Sequence, residues 1–188
     1  MKKIIILFTL LLVSVMTTAC INNMAIEELN NKAEEYLAKG DTHSAICRLK
    51  SSLDLDNELY QTHYKLALAY NKAGNPEEAA KELSRVLELR PDYDEVILPL
   101  ADAKYAIAMN ILQKKNGINS EDIVDFNSNA SEAISYYNKY LVKNVSAKNT
   151  GDINKKIEIL NERIKSFSLT FEPSQKDFSE YEEEEEEN

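Results

Sequence analysis

Residues 65–92 read KLALAYNKAGNPEEAAKELSRVLELRPD. Apolar and small residues recur at helical spacing on both sides of Gly74: Leu66, Ala67 and Tyr70 before it, Ala79, Leu83, Val86 and Leu87 after it. Gly74 is suited to the left-handed conformation that ends a helix. Asn75 is expected as the N-cap of the next helix, with Pro76 at its first position. Pro91 stops that second helix, because proline has no amide hydrogen to continue it. Small Ala67 and Ala79 let the two helices approach closely, while Tyr70 and Leu83 fill the space beside them.

The pattern recurs at an offset of 34 residues. Gly40-Asp41 matches Gly74-Asn75. Ala33 matches Ala67, Tyr36 matches Tyr70, Ala45 matches Ala79, Leu49 matches Leu83 and Leu53 matches Leu87. Lys32 and Asn57 depart from the pattern; the second stands where Pro91 stands later. A third unit starts near Asp94, with Ile97, Leu100, Ala101 and Ile107 on its first helix. Ala133, Ile134, Tyr137, Tyr140 and Leu141 suit its second. Ala101 to Ala133 is 32 residues where Ala67 to Ala79 is 12, so twenty are extra. Apolar positions continue through Ala108, Ile111 and Leu112 and resume at Ile123, Phe126 and Ala130. This spacing predicts a lengthened hairpin of 95–115 and 121–143, turned at Asn116-Gly117 and capped by Ser120, with Pro99 near its start. A flexible insertion at 116–130 is the alternative. A last helix follows Thr150-Gly151, capped by Asp152, with Ile153, Ile157, Leu160, Ile164 and Phe167 on one stripe.

These residues resemble the tetratricopeptide repeat, a helix–turn–helix unit of 34 residues. The resemblance implies an all-α fold: a solenoid of about three repeats (26–59, 60–93 and a divergent, elongated 94–145) with a C-terminal capping helix at 152–167. Such arrays need an end helix, since the last repeat otherwise exposes its packing face. The family lines a concave groove with fixed positions of each first helix. Carried over, these are Glu27, Asn30, Glu34, Leu37 and Ala38, then Gln61, Tyr64, Leu68, Asn71 and Lys72, then Glu95, Leu98, Asp102, Tyr105 and Ala106. Tyr64, Leu68, Leu98 and Tyr105 would form an apolar, aromatic strip suited to a peptide or helix. The alternative is that these residues pack against the chain's own third hairpin. The Lys/Asn/Arg set with which other members clamp a C-terminal carboxylate is absent. Asn30, Glu34, Tyr64, Leu68, Leu98 and Asp102 stand there instead.

The N-terminus reads MKKIIILFTLLLVSVMTTAC. Lys2 and Lys3 precede an apolar run from Ile4 to Met16, 13 residues long. A bilayer core needs about 20, so the run has the length of a secretory signal. Thr17-Thr18-Ala19-Cys20 resembles the lipobox of bacterial lipoproteins, with Thr17 in place of the usual Leu. The resemblance implies cleavage before Cys20, lipidation of its thiol and anchoring to the membrane of the cell envelope. Ile21 after the cysteine does not signal inner-membrane retention. An ordinary cleaved signal or an uncleaved anchor are the other readings. Residues 20–25 are then the lipidated cysteine and a tether, five residues of which span at most about 18 Å.

Residues 168–188 form an acidic tail ending in six glutamates, expected to be disordered and available to a basic partner. The 188-residue chain has 22 Lys+Arg against 32 Asp+Glu, a net charge of −10, which argues against nucleic acid as a partner. Two cysteines and two histidines make neither a disulfide scaffold nor a usual zinc site. His63 falls at a packing position of the repeat, His43 at an exposed one, and Cys47 reads as a small, partly buried hydrophobe. No cofactor, metal or catalytic set is expected. The composite expectation is a membrane-anchored, non-catalytic scaffold or assembly factor that holds a protein or peptide in its groove; a structural spacer without a groove partner, or a regulatory subunit of an envelope enzyme, is the alternative.

Overall fold

The computed structural model describes residues 21–115, 117–145 and 147–171. The lipobox with Cys20, the turn residue Asn116 and residues 172–188 of the acidic tail lie outside the described residues, while residues 168–171, expected to belong to that tail, are the end of the last helix. Seven α-helices and no strand occur among the described residues: α1 (21–38), α2 (Thr42–Leu55), α3 (Tyr60–Lys72), α4 (Pro76–Leu89), α5 (Ile97–Ile111), α6 (Ser120–Lys143) and α7 (Thr150–Phe171). A 3₁₀ turn at Asp94–Val96 leads into α5. From α2 onward each helix packs on the next in sequence, as in a helical solenoid.

The 34-residue period is visible in the backbone. Gly40 and Gly74 have φ of 82° and 76°, a region open to glycine at little cost. Asp41 N–H reaches Tyr36 O at 2.9 Å and Gly40 N–H reaches Leu37 O at 3.2 Å. One period later Asn75 N–H reaches Tyr70 O at 3.0 Å and Gly74 N–H reaches Asn71 O at 3.1 Å. Both first helices therefore close with the same Schellman hydrogen bonds, which satisfy carbonyls that the helix leaves free. The second helices open differently. Asp41 caps α2 by accepting from Ser44 N–H at 3.0 Å. Asn75 occupies the N-cap of α4 with Pro76 inside, but its side chain makes no capping bond.

Six alanines hold the units together. Ala33 and Ala45, Ala67 and Ala79, and Ala101 and Ala133 are all at most 1% exposed. The first two pairs lie in one apolar cluster, which also takes in Leu49, Leu66, Tyr70, Leu83 and Val86. The third pair lies in a second cluster with Phe126, Tyr137, Ile153 and Leu160. Helix α5 serves both: Leu100 and Ala103 face the first cluster, and Ala101, Ala108 and Ile111 the second. This double burial accounts for its near absence of charge, with only Asp102 and Lys104 in fifteen residues.

The long third hairpin is helical on both sides of Gly117, which has φ of 84°. The stretch 120–130 is helix, not a flexible insertion. Its N-cap is Asn119 and not Ser120. Asn119 Oδ1 accepts from Asp122 N–H at 2.8 Å, and Asp122 Oδ2 accepts from Asn119 N–H at 3.1 Å. This reciprocal box needs a carboxylate three residues after the cap, and Ser120 is followed at that spacing by Ile123. Helix α7 likewise starts at Thr150, so Asp152 sits inside its first turn, where a carboxylate meets the positive end of the helix. Residues 21–25, read from the sequence as part of a tether, are the first turn of α1.

Asp122 also pairs with Lys114 across the hairpin turn. That bond, with the Asn119 amide, holds the Asp122 carboxyl below its ordinary value of 3.8. A carboxylate with a lowered value stabilises the fold at neutral pH, and that contribution is lost as the pH falls through the lowered value. Asp122→Asn is therefore expected to lower the melting temperature at pH 7. The gap to the wild type should close in acid, which a thermal melt series down to pH 2 reads directly.

His63 is buried, with Nδ1 2.6 Å from Glu82 Oε2 and Nε2 3.0 Å from Asn57 O. It joins α3 to α4 and to the preceding loop, in keeping with a packing role. His43 and Cys47 are exposed on α2, with Sγ 3.9 Å from Nε2. The cysteine is thus more open than its apolar neighbours suggested.

Candidate functional site

The expected groove positions lie on α1, α3 and α5, except Glu95, which is exposed on the 3₁₀ turn before α5, and the structure divides them into two groups. On α3, residues 61, 64, 65, 68 and 72 share one helical face. Leu68 is 39% exposed there. Tyr64 is half-buried and meets the Tyr93 ring edge-on, with centroids 5.4 Å apart. Tyr93 also meets Tyr60 at 5.2 Å, and Arg90 lies over the Tyr60 ring. Burial raises the Tyr64 hydroxyl above its ordinary value, so it stays a neutral donor and acceptor.

The polar positions around this surface are engaged within the chain. Asn30 Nδ2 donates to Thr62 Oγ1 at 3.1 Å, joining α1 to α3. Glu34 pairs with Lys65 at 2.6 Å. Lys72 Nζ donates to the Leu37 carbonyl at 2.7 Å, which bridges the end of α1 to the end of α3. Asn71 is half-buried and its carbonyl accepts the Gly74 amide. The three bridges fix α1 against α3 and leave little free charge on the face they share. Glu27, Gln61 and Ala38 remain exposed.

The third-unit positions behave differently. Leu98 and Tyr105 pack against the C-terminal apolar cluster. Asp102 Oδ1 accepts from the Tyr137 hydroxyl at 2.6 Å and from Lys156 Nζ at 2.6 Å. The same ammonium lies 5.3 Å from the Tyr105 ring centre and 5.5 Å from that of Tyr137. Burial, then the bond to Asp102, raises the Tyr137 hydroxyl, which keeps its proton as the donor in this network. Lys104 is held at 3.0 Å by Glu132. Leu98, Asp102 and Tyr105 are thus used by the chain's own C-terminal part, while Leu68 keeps apolar surface open beside the half-buried Tyr64. The physical reason is the twenty-residue lengthening: α6 runs far enough to bring Tyr137 and then α7 back onto α5.

Two participants had no signal in the sequence. Tyr93 lies beyond the end of α4 and reaches Tyr64 only through the fold of the loop. Lys156 is 54 residues from Asp102 and is one of many lysines on polar helix faces. No group of three or more metal-ligating side chains occurs among the described residues. Neither Tyr64 nor Leu68 lines the surface hollows at Ile21 to Glu35, Lys114 to Asp122 and Leu53 to Glu58.

Residues 36–98 match the family model described as tetratricopeptide repeat. A tetratricopeptide repeat and J domain-containing co-chaperone, DNJ1 of Fusarium oxysporum f. sp. lycopersici, is 28% identical over 79 residues. That match spans 42% of this chain and 15% of the co-chaperone's length. Among solved structures, the second TPR domain of human RPAP3, in complex with an HSP70 peptide, aligns with a TM-score of 0.55 at 14% identity. It covers 74% of this chain and 98% of that one. The TPR domain of Sgt2 from Aspergillus fumigatus aligns with a TM-score of 0.50 at 16% identity, covering 79% and 84% of the two chains. The TPR2B domain of yeast Sti1, in complex with pHsp70, aligns with a TM-score of 0.50 at 15% identity, covering 74% and 98%. At these identities the likeness is one of fold: an all-α, tetratricopeptide-type solenoid.

Proposed function

We propose that this tetratricopeptide-type solenoid is a non-catalytic, protein-binding scaffold or assembly factor, anchored by lipid on Cys20 in a bacterial cell envelope. Its partner is a peptide or helix laid across α1 and α3. One observation carries the binding reading: Leu68 is 39% exposed beside half-buried Tyr64, on a face where Asn30, Glu34 and Lys72 are already bonded within the chain. An apolar anchor from a partner gains contact there without breaking those bonds. The RPAP3 and Sti1 domains are described in complex with an HSP70 peptide and with pHsp70, which supports peptide binding as the class of activity. The residues of this chain favour a different peptide chemistry. Asp102 and Glu34 are held by Lys156 and Lys65, the Lys/Asn/Arg set that would clamp a C-terminal carboxylate is absent, and exposed Leu68 favours an apolar segment. The lipid anchor rests on the run from Lys2 to Cys20 and on its small residues before the cysteine.

The test is crosslinked affinity capture from native membranes, with the wild type beside a Tyr64→Ala, Leu68→Ala double variant and a Cys20→Ser variant. The double variant is expected to remain folded and membrane-bound while losing one specific partner. Cys20→Ser is expected to move the protein out of the membrane fraction. A partner that binds the double variant as well as the wild type would overturn the groove reading. Retention of Cys20→Ser in the membrane would overturn the lipid anchor.

A further inference from the structure

The first turn of α1 carries apolar side chains that the protein leaves uncovered. Ile21 is 64% exposed and Met24 is 73% exposed, while Ile26 turns inward and is buried. Helix α1 already includes residue 21, directly after Cys20. Residues 21–26 read INNMAI and carry no charge; the first charges are Glu27 and Glu28. From there the surface is that of a water-facing helix: Glu28 pairs with Lys32, and Asn31 and Glu35 are exposed.

The lengths agree with a bilayer surface. At about 1.5 Å per residue, α1 rises about 9 Å from residue 21 to residue 27. The headgroup layer on each side of the hydrocarbon core is about 5–8 Å thick. From residue 21 onward α1 therefore clears the headgroups at the position where its first acids appear. Ile21 fits the inner boundary of that layer and the uncharged Asn22 and Asn23 fit its depth, while the long Met24 side chain reaches back toward the boundary, because helical side chains tilt toward the N-terminus.

Resting on lipidation of Cys20, we propose that the first turn of α1 docks end-on in the headgroup layer, with Ile21 and Met24 against the acyl chains. The repeats are then held to the membrane by a rigid helix, in a set orientation, and do not swing on an extended tether. An extended five-residue linker reaches about 18 Å, whereas the same residues in a helix rise about 8 Å.

The chain contains no tryptophan, so a single introduced indole reports its own surroundings. Met24→Trp and Lys39→Trp place that reporter near Cys20 and just past the far end of α1, about 22 Å apart at helical rise. The full-length lipidated chain, purified from membranes, is reconstituted into phosphatidylethanolamine–phosphatidylglycerol vesicles with and without brominated acyl chains. The expected result is a blue-shifted Met24→Trp emission quenched by bromine, with Lys39→Trp unshifted and unquenched. If the protein floats with the vesicles while Met24→Trp stays solvent-like, the docking fails and the lipid anchor stands. A blue-shifted Met24→Trp that bromine does not quench means that protein covers this surface, which also overturns the proposal. Equal quenching at both sites means that α1 lies flat, which overturns the end-on geometry. Failure to float overturns the anchor and the docking together.

Discussion

Ala67→Glu is expected to abolish the cooperative melt of the repeat domain near physiological temperature. Ala67 is 0% exposed in the cluster that unites α2, α3 and α4. A glutamate there enters a cluster of buried apolar side chains that includes Leu66 and Leu83. Either the carboxylate is buried unpaired or it takes up a proton, and both options cost free energy. Added volume costs about 1–3 kcal/mol more in a packed core. The total is several kcal/mol against a domain stability of about 5–15 kcal/mol. Circular dichroism melts of the variant and of Ala67→Ser, which keeps the size, separate the two effects. A variant that melts with the wild type would show that the 34-residue register is misplaced.

Phe126→Ala is expected to cost about 3–5 kcal/mol, concentrated in the C-terminal half. Phe126 is 0% exposed and meets Phe167 edge-on at 5.3 Å, so it joins α6 to the last helix. In a solenoid each element contacts only its neighbours, and damage at one interface frees the elements beyond it. Hydrogen exchange should therefore rise in α6 and α7 well above any rise in α3 and α4. Uniform loss of protection would show that the molecule unfolds as one cooperative unit. No loss at all would restore the flexible-insertion reading of 116–130.

Local chemistry was legible wherever a few adjacent residues suffice. Gly40 and Gly74 announced both helix ends, because the Schellman hydrogen bonds involve six consecutive residues and need a left-handed glycine. Five of the six buried alanines were legible through their period, and Ala133 lies twenty residues beyond it. The caps of α6 and α7 were less so. Asn119 and Ser120 are both good N-caps, and Asp122 tips the choice through a reciprocal bond. At α7, helix starts one turn apart are close in energy, and the first turn accepts Gly151 and Asp152 at modest cost.

Helix content, the repeat, the solenoid class and the positions of the turns follow from the order of residues, since periodicity and glycine conformations act within one or two turns of chain. Which groove residues stay open does not follow from that order. Leu98, Asp102 and Tyr105 were candidates equal to Tyr64 and Leu68 until α6 and α7 were in place. Lys156 reaches Asp102 across 54 residues, and Tyr137 across 35. Pairings of that length depend on the crossing of helices already formed, which sets which side chains meet and which are left to a partner.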